Sequence, residues 1–185
     1  MNPLAINTFD ANYMKATFTL TNAAPQFGTS NNVDWQIFEG KIRSYAQHIC
    51  GATHRGTLYI LTGTSEYGLR PDPATGTMVQ DRPPRYQIRL PTGIPTPRTP
   101  LVIPHALWTA GCCVWQEPGA VFGYWWPKAE AASFAVMTNN QDNSANLHQT
   151  QMSVAELEDL LTAPNSPTVN LFPGNAACRS TNVNI

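Results

Sequence analysis

"LTNAAPQFGTSNNVDWQIFEGKIRS", Leu20 to Ser44, ends an alternating apolar segment, crosses a polar loop and opens a helical pattern. Upstream, "ATFTLT" (16–21) alternates and is rich in β-formers, so it reads as a strand. Downstream, Phe38, Ile42, Tyr45 and Ile49 recur at spacings of four, three and four, which predicts a helix over 33–50 with Gly51 as its stop. The stretch therefore joins a strand to an amphipathic helix through an Asn-rich loop holding Asn22, Asn31 and Asn32. Trp35, Glu39 and Arg43 follow at steps of four, and positions four apart on a helix share a face.

That column has a chemistry. An Asn amide oxygen is a neutral hard ligand suited to Mg²⁺, an ion that keeps most of its waters and takes one or two protein ligands. Asn31 stands at the head of the column. Glu39 could hold the ion's waters, and the guanidinium of Arg43 could clamp a phosphate with its fork of donors. Such a set would serve metal-assisted phosphoryl transfer. Spacing alone equally describes an Asn-rich loop and a solvated Glu–Arg pair worth a few tenths of a kcal/mol.

Outward from this stretch, "TLYILTG" (57–63) reads as a buried strand. Residues 64–100, rich in Pro, Gly and Arg, read as a surface excursion with a short strand in "RYQIRL" (85–90). "LVIPHALWTAGCCVW" (101–115) predicts one or two strands with Pro104 at a break. "FGYWWP" (122–127) predicts a hairpin tip or aromatic loop, and "SFAVMTN" (133–139) another strand. "SVAELEDLLT" (153–162) is a helix opened by a capping box from Ser153 to Glu156, and the tail reads as coil. Strands and helices do not alternate as in a doubly wound sheet, so the expected class is α+β in one domain, 1–185.

Hydrophobic residues at 42% support a core, and no apolar run approaches the roughly 18–20 residues that span a membrane. Charged residues at 12% and a net charge of −1 argue against a protein held on nucleic acid by bulk charge. Arg82, Arg85, Arg89 and Arg98 still form a stretch without an acid from 82 to 98. It could face a polyanion or be an ordinary solvated loop. His48 and His54 are expected to face solvent, His105 to be structural and His148 to lie in a polar loop. No Ser-His-Asp or Cys-His arrangement can be argued from them. Four cysteines, Cys50, Cys112, Cys113 and Cys178, include an adjacent pair and no zinc-type spacing. Buried thiols and disulfides both fit, and at least one disulfide is expected. Neighbours in a strand point to opposite faces, so Cys112 and Cys113 need different partners, with Cys50 and Cys178 as candidates.

The opening stretch resembles the DNA/RNA non-specific endonucleases, the ββα-metal superfamily. The resemblance rests on Thr-Asn-x-x-Pro-Gln followed by Asn, Trp, Glu and Arg at these spacings. "GTLYILTGTS", "IPHALWTAGCC", "SFAVMTNNQDNS" and "VNLFPG" are similar to the animal branch called endonuclease domain-containing 1 proteins. The likeness runs from about Asn2 to Gly174. It implies a mostly antiparallel sheet flanked by helices, with the 33–50 helix against the sheet edge. It also implies hydrolysis of DNA and RNA without sequence preference, with Mg²⁺ or Mn²⁺ as cofactor. By the same likeness Asn31 is the metal ligand, Glu39 orients the waters, Arg43 contacts phosphate and Asn22 supports the site. Arg85 and Arg89 are candidates for nucleic-acid contact.

The family's general base is the His of an Asp-Arg-Gly-His motif, which these 185 residues do not contain. The sequence is therefore expected to be the domain cut just after that His, and to lack strands that would cover an edge or apolar face. Activity should then be weak or absent. The alternative is a non-catalytic pseudo-nuclease that binds nucleic acid or protein through "FGYWWP" and the Arg82–Arg98 run. The disulfides suggest a secreted or lumenal protein, its leader lying with the missing segment. No oligomeric state follows from the sequence.

Overall fold

A computed structural model describes residues 24–32, 34–82, 86–87, 102–121, 124–163 and 165–185. Within them the chain runs through helices α1 (Gly28–Asn32) and α2 (Asp34–Ser44) and a π-helical segment (Tyr45–Thr53). Strand β1 (Thr57–Ser65) follows, then a small hairpin of β2 (Gly68–Pro71) and β3 (Met78–Asp81). β4 (Tyr86–Gln87) pairs with β5 (Val102–Ile103). A long antiparallel hairpin comes next, β6 (Ala106–Val121) and β7 (Tyr124–Asn139). β8 (Gln149–Met152), α3 (Val154–Leu161) and α4 (Ala177–Ser180) complete the order. The main sheet is antiparallel throughout, in the order β1-β6-β7-β8. This is the expected α+β class.

The central strands β6 and β7 are covered on both faces. On one, Leu107, Cys113, Phe134 and Val136 pack with Trp35, Phe38, Ile42, Tyr45 and Cys50. On the other, Ala106, Ala110, Ala135 and Met137 pack with Leu69, Met152, Val154 and Leu157. The helix at 34–53 thus lies across the face of the sheet rather than against its edge, because its apolar stripe is wide enough to cover two strands. Phe134 is the pivot. Its ring receives Phe38 edge-on at 6.4 Å and Tyr45 at 5.5 Å. Opposite it in register stands Gly111, where a Cβ would fall 2.2 Å from the ring. The ring can lie flat on β6 only because that position has no side chain. Burial also pushes the Tyr45 phenol up from its ordinary pKa.

Two readings of the sequence are corrected here. The stripe does not continue through Ile49, which is 43% exposed, while Cys50 is buried. After Ser44 the hydrogen bonds span five residues, so the turn widens and the next inward position after Tyr45 is Cys50. "TLYILTG" is not a buried strand. β1 is one of the two outer strands of the described sheet, half-buried at best over most of its length, and exposes Tyr59 and Leu61. The β2–β3 hairpin inside the expected surface excursion was not foreseen, nor was the short α4 in the tail. Pro104 does separate two strands, and Ser153 forms the predicted capping box with Glu156. β6 and β7 pair out to Val121 and Tyr124, so the part of "FGYWWP" from Tyr124 to Pro127 lies in a strand of the hairpin, and residues 122–123 lie outside the described residues.

All four cysteines are paired: Cys50 with Cys113 and Cys112 with Cys178. The adjacent residues serve opposite faces, as alternation requires. Cys113 ties β6 to the π-helical segment, and Cys112 ties it to α4. Strand 16–21, Asn22, Arg85, Arg89 and any uncovered amino-terminal edge lie outside the described residues.

Candidate active site

Asn31 is the next-to-last residue of α1, and Glu39 and Arg43 follow on α2. The column passes from core to solvent. Trp35 is fully buried against Phe38 at 5.7 Å, Glu39 is 7% exposed and Arg43 is exposed. Asn31 is half-buried at the top, and its backbone N–H donates to Phe27 O at 3.1 Å. Asn31, Glu39 and Arg43 each have an interaction partner within the chain. A buried carboxylate between a buried Trp and an exposed Arg is not the solvated Glu–Arg pair that spacing also allowed.

What fixes Asn31 is a clamp from the end of β7. Asn140, fully buried, uses its whole side-chain amide. Its Oδ1 accepts from Phe27 N at 2.9 Å, and its Nδ2 donates to Pro25 O at 2.9 Å and Pro104 O at 3.0 Å. Its backbone N–H donates to His105 O at 2.8 Å. One residue earlier, Asn139 makes a side-chain imitation of a strand pair with Leu69. Its Oδ1 accepts from Leu69 N at 2.6 Å and its Nδ2 donates to Leu69 O at 2.7 Å. One residue later, Gln141 N donates to the buried Ser30 hydroxyl at 2.8 Å. Ser30 Oγ lies 3.0 Å from Gln141 O and 3.2 Å from Asn139 O, and Thr29 Oγ1 also donates to Gln141 O. Residues 139–141 thus hold both the loop before α1 and α1 itself. Each bond is worth about 1 kcal/mol net, and leaving such a group buried and unpaired costs more. "NNQ" directly after an apolar strand was the available signal. Polar residues at a strand end usually mean solvent, so none was singled out.

Asn22, Arg85 and Arg89 lie outside the described residues, so the structure does not bring them to the column. Of the histidines, His105 is buried, and His48 is exposed as expected. His54 is only partly exposed, because it stacks on Trp115 with centroids 4.1 Å apart. Among the described residues no three His, Cys, Asp or Glu side chains gather into a metal cage. The donors on the column are instead an amide oxygen and a carboxylate. These fit an oxygen-seeking divalent ion that keeps most of its waters. No helix among the described residues is long and apolar enough to cross a membrane.

The family model described as DNA/RNA non-specific endonuclease matches residues 1–172. No curated protein and no solved structure matches the chain. The match spans most of the 185 residues, and the chain belongs to the DNA/RNA non-specific endonuclease family. Its fold is of the ββα-metal nuclease type, and the family's nucleases depend on a divalent metal and act on nucleic acid without specificity. The two disulfides are compatible with a secreted or lumenal protein.

Proposed function

We propose that the Asn31–Glu39–Arg43 column is the catalytic centre of a non-specific endonuclease acting on phosphodiester bonds of DNA and RNA. The observation that carries this reading is the clamp. Asn31, in the last turn of α1, follows Phe27 and Ser30, which are bonded to the fully buried Asn140 and to Gln141, and it stands on a column with a buried carboxylate. Such positioning is what a single neutral ligand needs, since it has no charge to recruit an ion by itself.

Asn31 holds the ion, Mg²⁺ or Mn²⁺, through its amide oxygen. Glu39 accepts hydrogen bonds from water at the site and so orients it. Arg43, exposed, presents its fork of donors to the substrate phosphate. By the family likeness Asn22 is assigned to the site, and Arg85 and Arg89 are candidates for contact with nucleic acid; all three lie outside the described residues. An ion held by Asn31 would supply charge stabilisation to a departing oxygen of the phosphodiester. Attack by water in line needs a base, and none of the four histidines stands in an Asp-Arg-Gly-His motif. Cleavage by these residues alone is therefore slow, by about 10²–10⁴-fold relative to a site with its base.

Mn²⁺ titration followed by paramagnetic broadening of amide signals tests the centre. Broadening should be centred on Gly28–Asn32 and weaken at least about tenfold in affinity in Asn31→Ala. Broadening centred elsewhere, or unchanged in Asn31→Ala, would contradict it. A second reading is nucleic-acid binding without cleavage. It requires metal-independent binding that salt weakens and that the pair Arg85→Ala, Arg89→Ala reduces.

A further inference from the structure

The helical stretch that begins at the candidate centre ends in a second basin. His54, Arg55, Tyr59, Trp115, Gln116 and Glu117 are among the residues lining a cavity of about 700 Å³, a size ordinary for ligand sites. α2 and the π-helical segment together span 11 and 9 residues, which puts the basin on the order of 25 Å from Asn31. The Asn31 centre therefore cannot account for it.

Three features of the basin point to a ligand. His54 and Trp115 form a stacked pair of rings, with planes 24° apart, and Tyr59 presents a ring that is 58% exposed. The Trp115 indole N–H donates to Glu117 Oε1 at 3.0 Å, which fixes the ring and leaves the carboxylate's other lone pairs open to a donor. Arg55 closes the helix in the left-handed conformation, φ 52°, donating its N–H to Gly51 O at 3.0 Å. That position favours Gly, and a residue with a Cβ is disfavoured there. An exposed guanidinium is thus held at a position where Gly would suit the backbone better.

We propose that this basin binds one nucleotide of a single nucleic-acid strand, as an accessory grip remote from the cutting centre. The base stacks on the exposed Tyr59 ring beside the His54–Trp115 pair, Arg55 takes the phosphate through its fork, and Glu117 accepts from an exocyclic amine of the base. Stacking tolerates every base, so such a grip suits a nuclease without sequence preference. In naming nucleic acid as the ligand, the proposal rests on the nuclease reading above.

The test is binding of fluorescently labelled oligo-dA in EDTA, where no metal-dependent cutting occurs. Arg55→Gly and Tyr59→Ala should each weaken binding about tenfold. Arg55→Gly should also melt no lower than the parent, which separates a lost ligand contact from lost stability. Arg70→Ala removes the same charge from β2, away from the basin, and should weaken binding less than Arg55→Gly does. The proposal is overturned if the parent does not bind oligo-dA, or if Arg55→Gly is no weaker than Arg70→Ala. It is also overturned if Tyr59→Ala binds like the parent. Because the assay contains no free metal, these outcomes stand whether or not the Asn31 centre cleaves, and failure of cleavage alone leaves the basin supported.

Discussion

At its amino end the helical stretch 28–53 is held by neutral hydrogen bonds, and at its carboxyl end by a covalent bond. Asn140, Ser30 and Gln141 fix the Asn31 end through amide and hydroxyl groups buried in a small space. Cys50–Cys113 fixes the other end across 63 residues of sequence. The disulfide limits the unfolded chain and sets one distance. The hydrogen bonds act only in the folded state and set directions as well as distances. A catalytic ligand needs direction, so the polar clamp stands at the proposed cutting centre, and the covalent tie stands where the helix must be kept on the sheet beside the basin.

Breaking the covalent end should have the largest effect on stability. Removing both partners, Cys50→Ser with Cys113→Ser, should lower unfolding free energy by about 4 kcal/mol in urea, with the Mn²⁺ affinity of the Asn31 end little changed. A lost metal site in that variant would mean that the two ends are not independent. Breaking the polar end comes next. Asn140→Ala strands Phe27 N–H and the carbonyls of Pro25 and Pro104, at about 3 kcal/mol by chemical denaturation. Unlike the cysteine variant, it should also weaken Mn²⁺ binding, and equal metal affinity would detach the clamp from the site. Between the two ends, Gly111→Ala drives a methyl into Phe134 and should destabilise by about 2 kcal/mol.

The smallest effect sharpens the comparison from outside it. Ser153→Ala removes the cap of α3, at about 1 kcal/mol, and should touch neither end of the helix at 34–53. The Glu156 carboxyl is held below its usual range by the Ser153 backbone N–H and then by the Ser153 hydroxyl. A carboxyl lowered in the folded state adds stability that is complete above its unfolded pKa. That stability is lost as pH falls through the folded value. The destabilisation caused by Ser153→Ala should therefore shrink as pH is lowered below about 4, near the ordinary Glu value. A gap that widened in acid would contradict the capping account.

Much of this was legible before the fold. The spacing of Phe38, Ile42 and Tyr45 marks the buried face of the helix, and Ser153-x-x-Glu156 marks the start of α3. Cys112 and Cys113, adjacent in a strand, had to take separate partners. Ile49 was misread because a 3.6-residue period was carried through a segment whose period is wider. β1 was misread because short apolar runs do not reveal whether a strand is central or outer. The clamp was invisible for a different reason. Asn139 and Asn140 reach Leu69, Pro25 and Phe27 across about 70 to 115 positions of sequence, and periodicity carries no information on such contacts.

Nicking of supercoiled plasmid tests the central claim most directly. The parent and Asn31→Ala are compared in Mg²⁺, in EDTA, and in Mg²⁺ with added imidazole to supply the base that the four histidines do not. The account predicts slow nicking by the parent that needs Mg²⁺, rises with imidazole and falls at least about tenfold in Asn31→Ala. Nicking by Asn31→Ala at the parent's rate, or nicking that persists in EDTA, would contradict it.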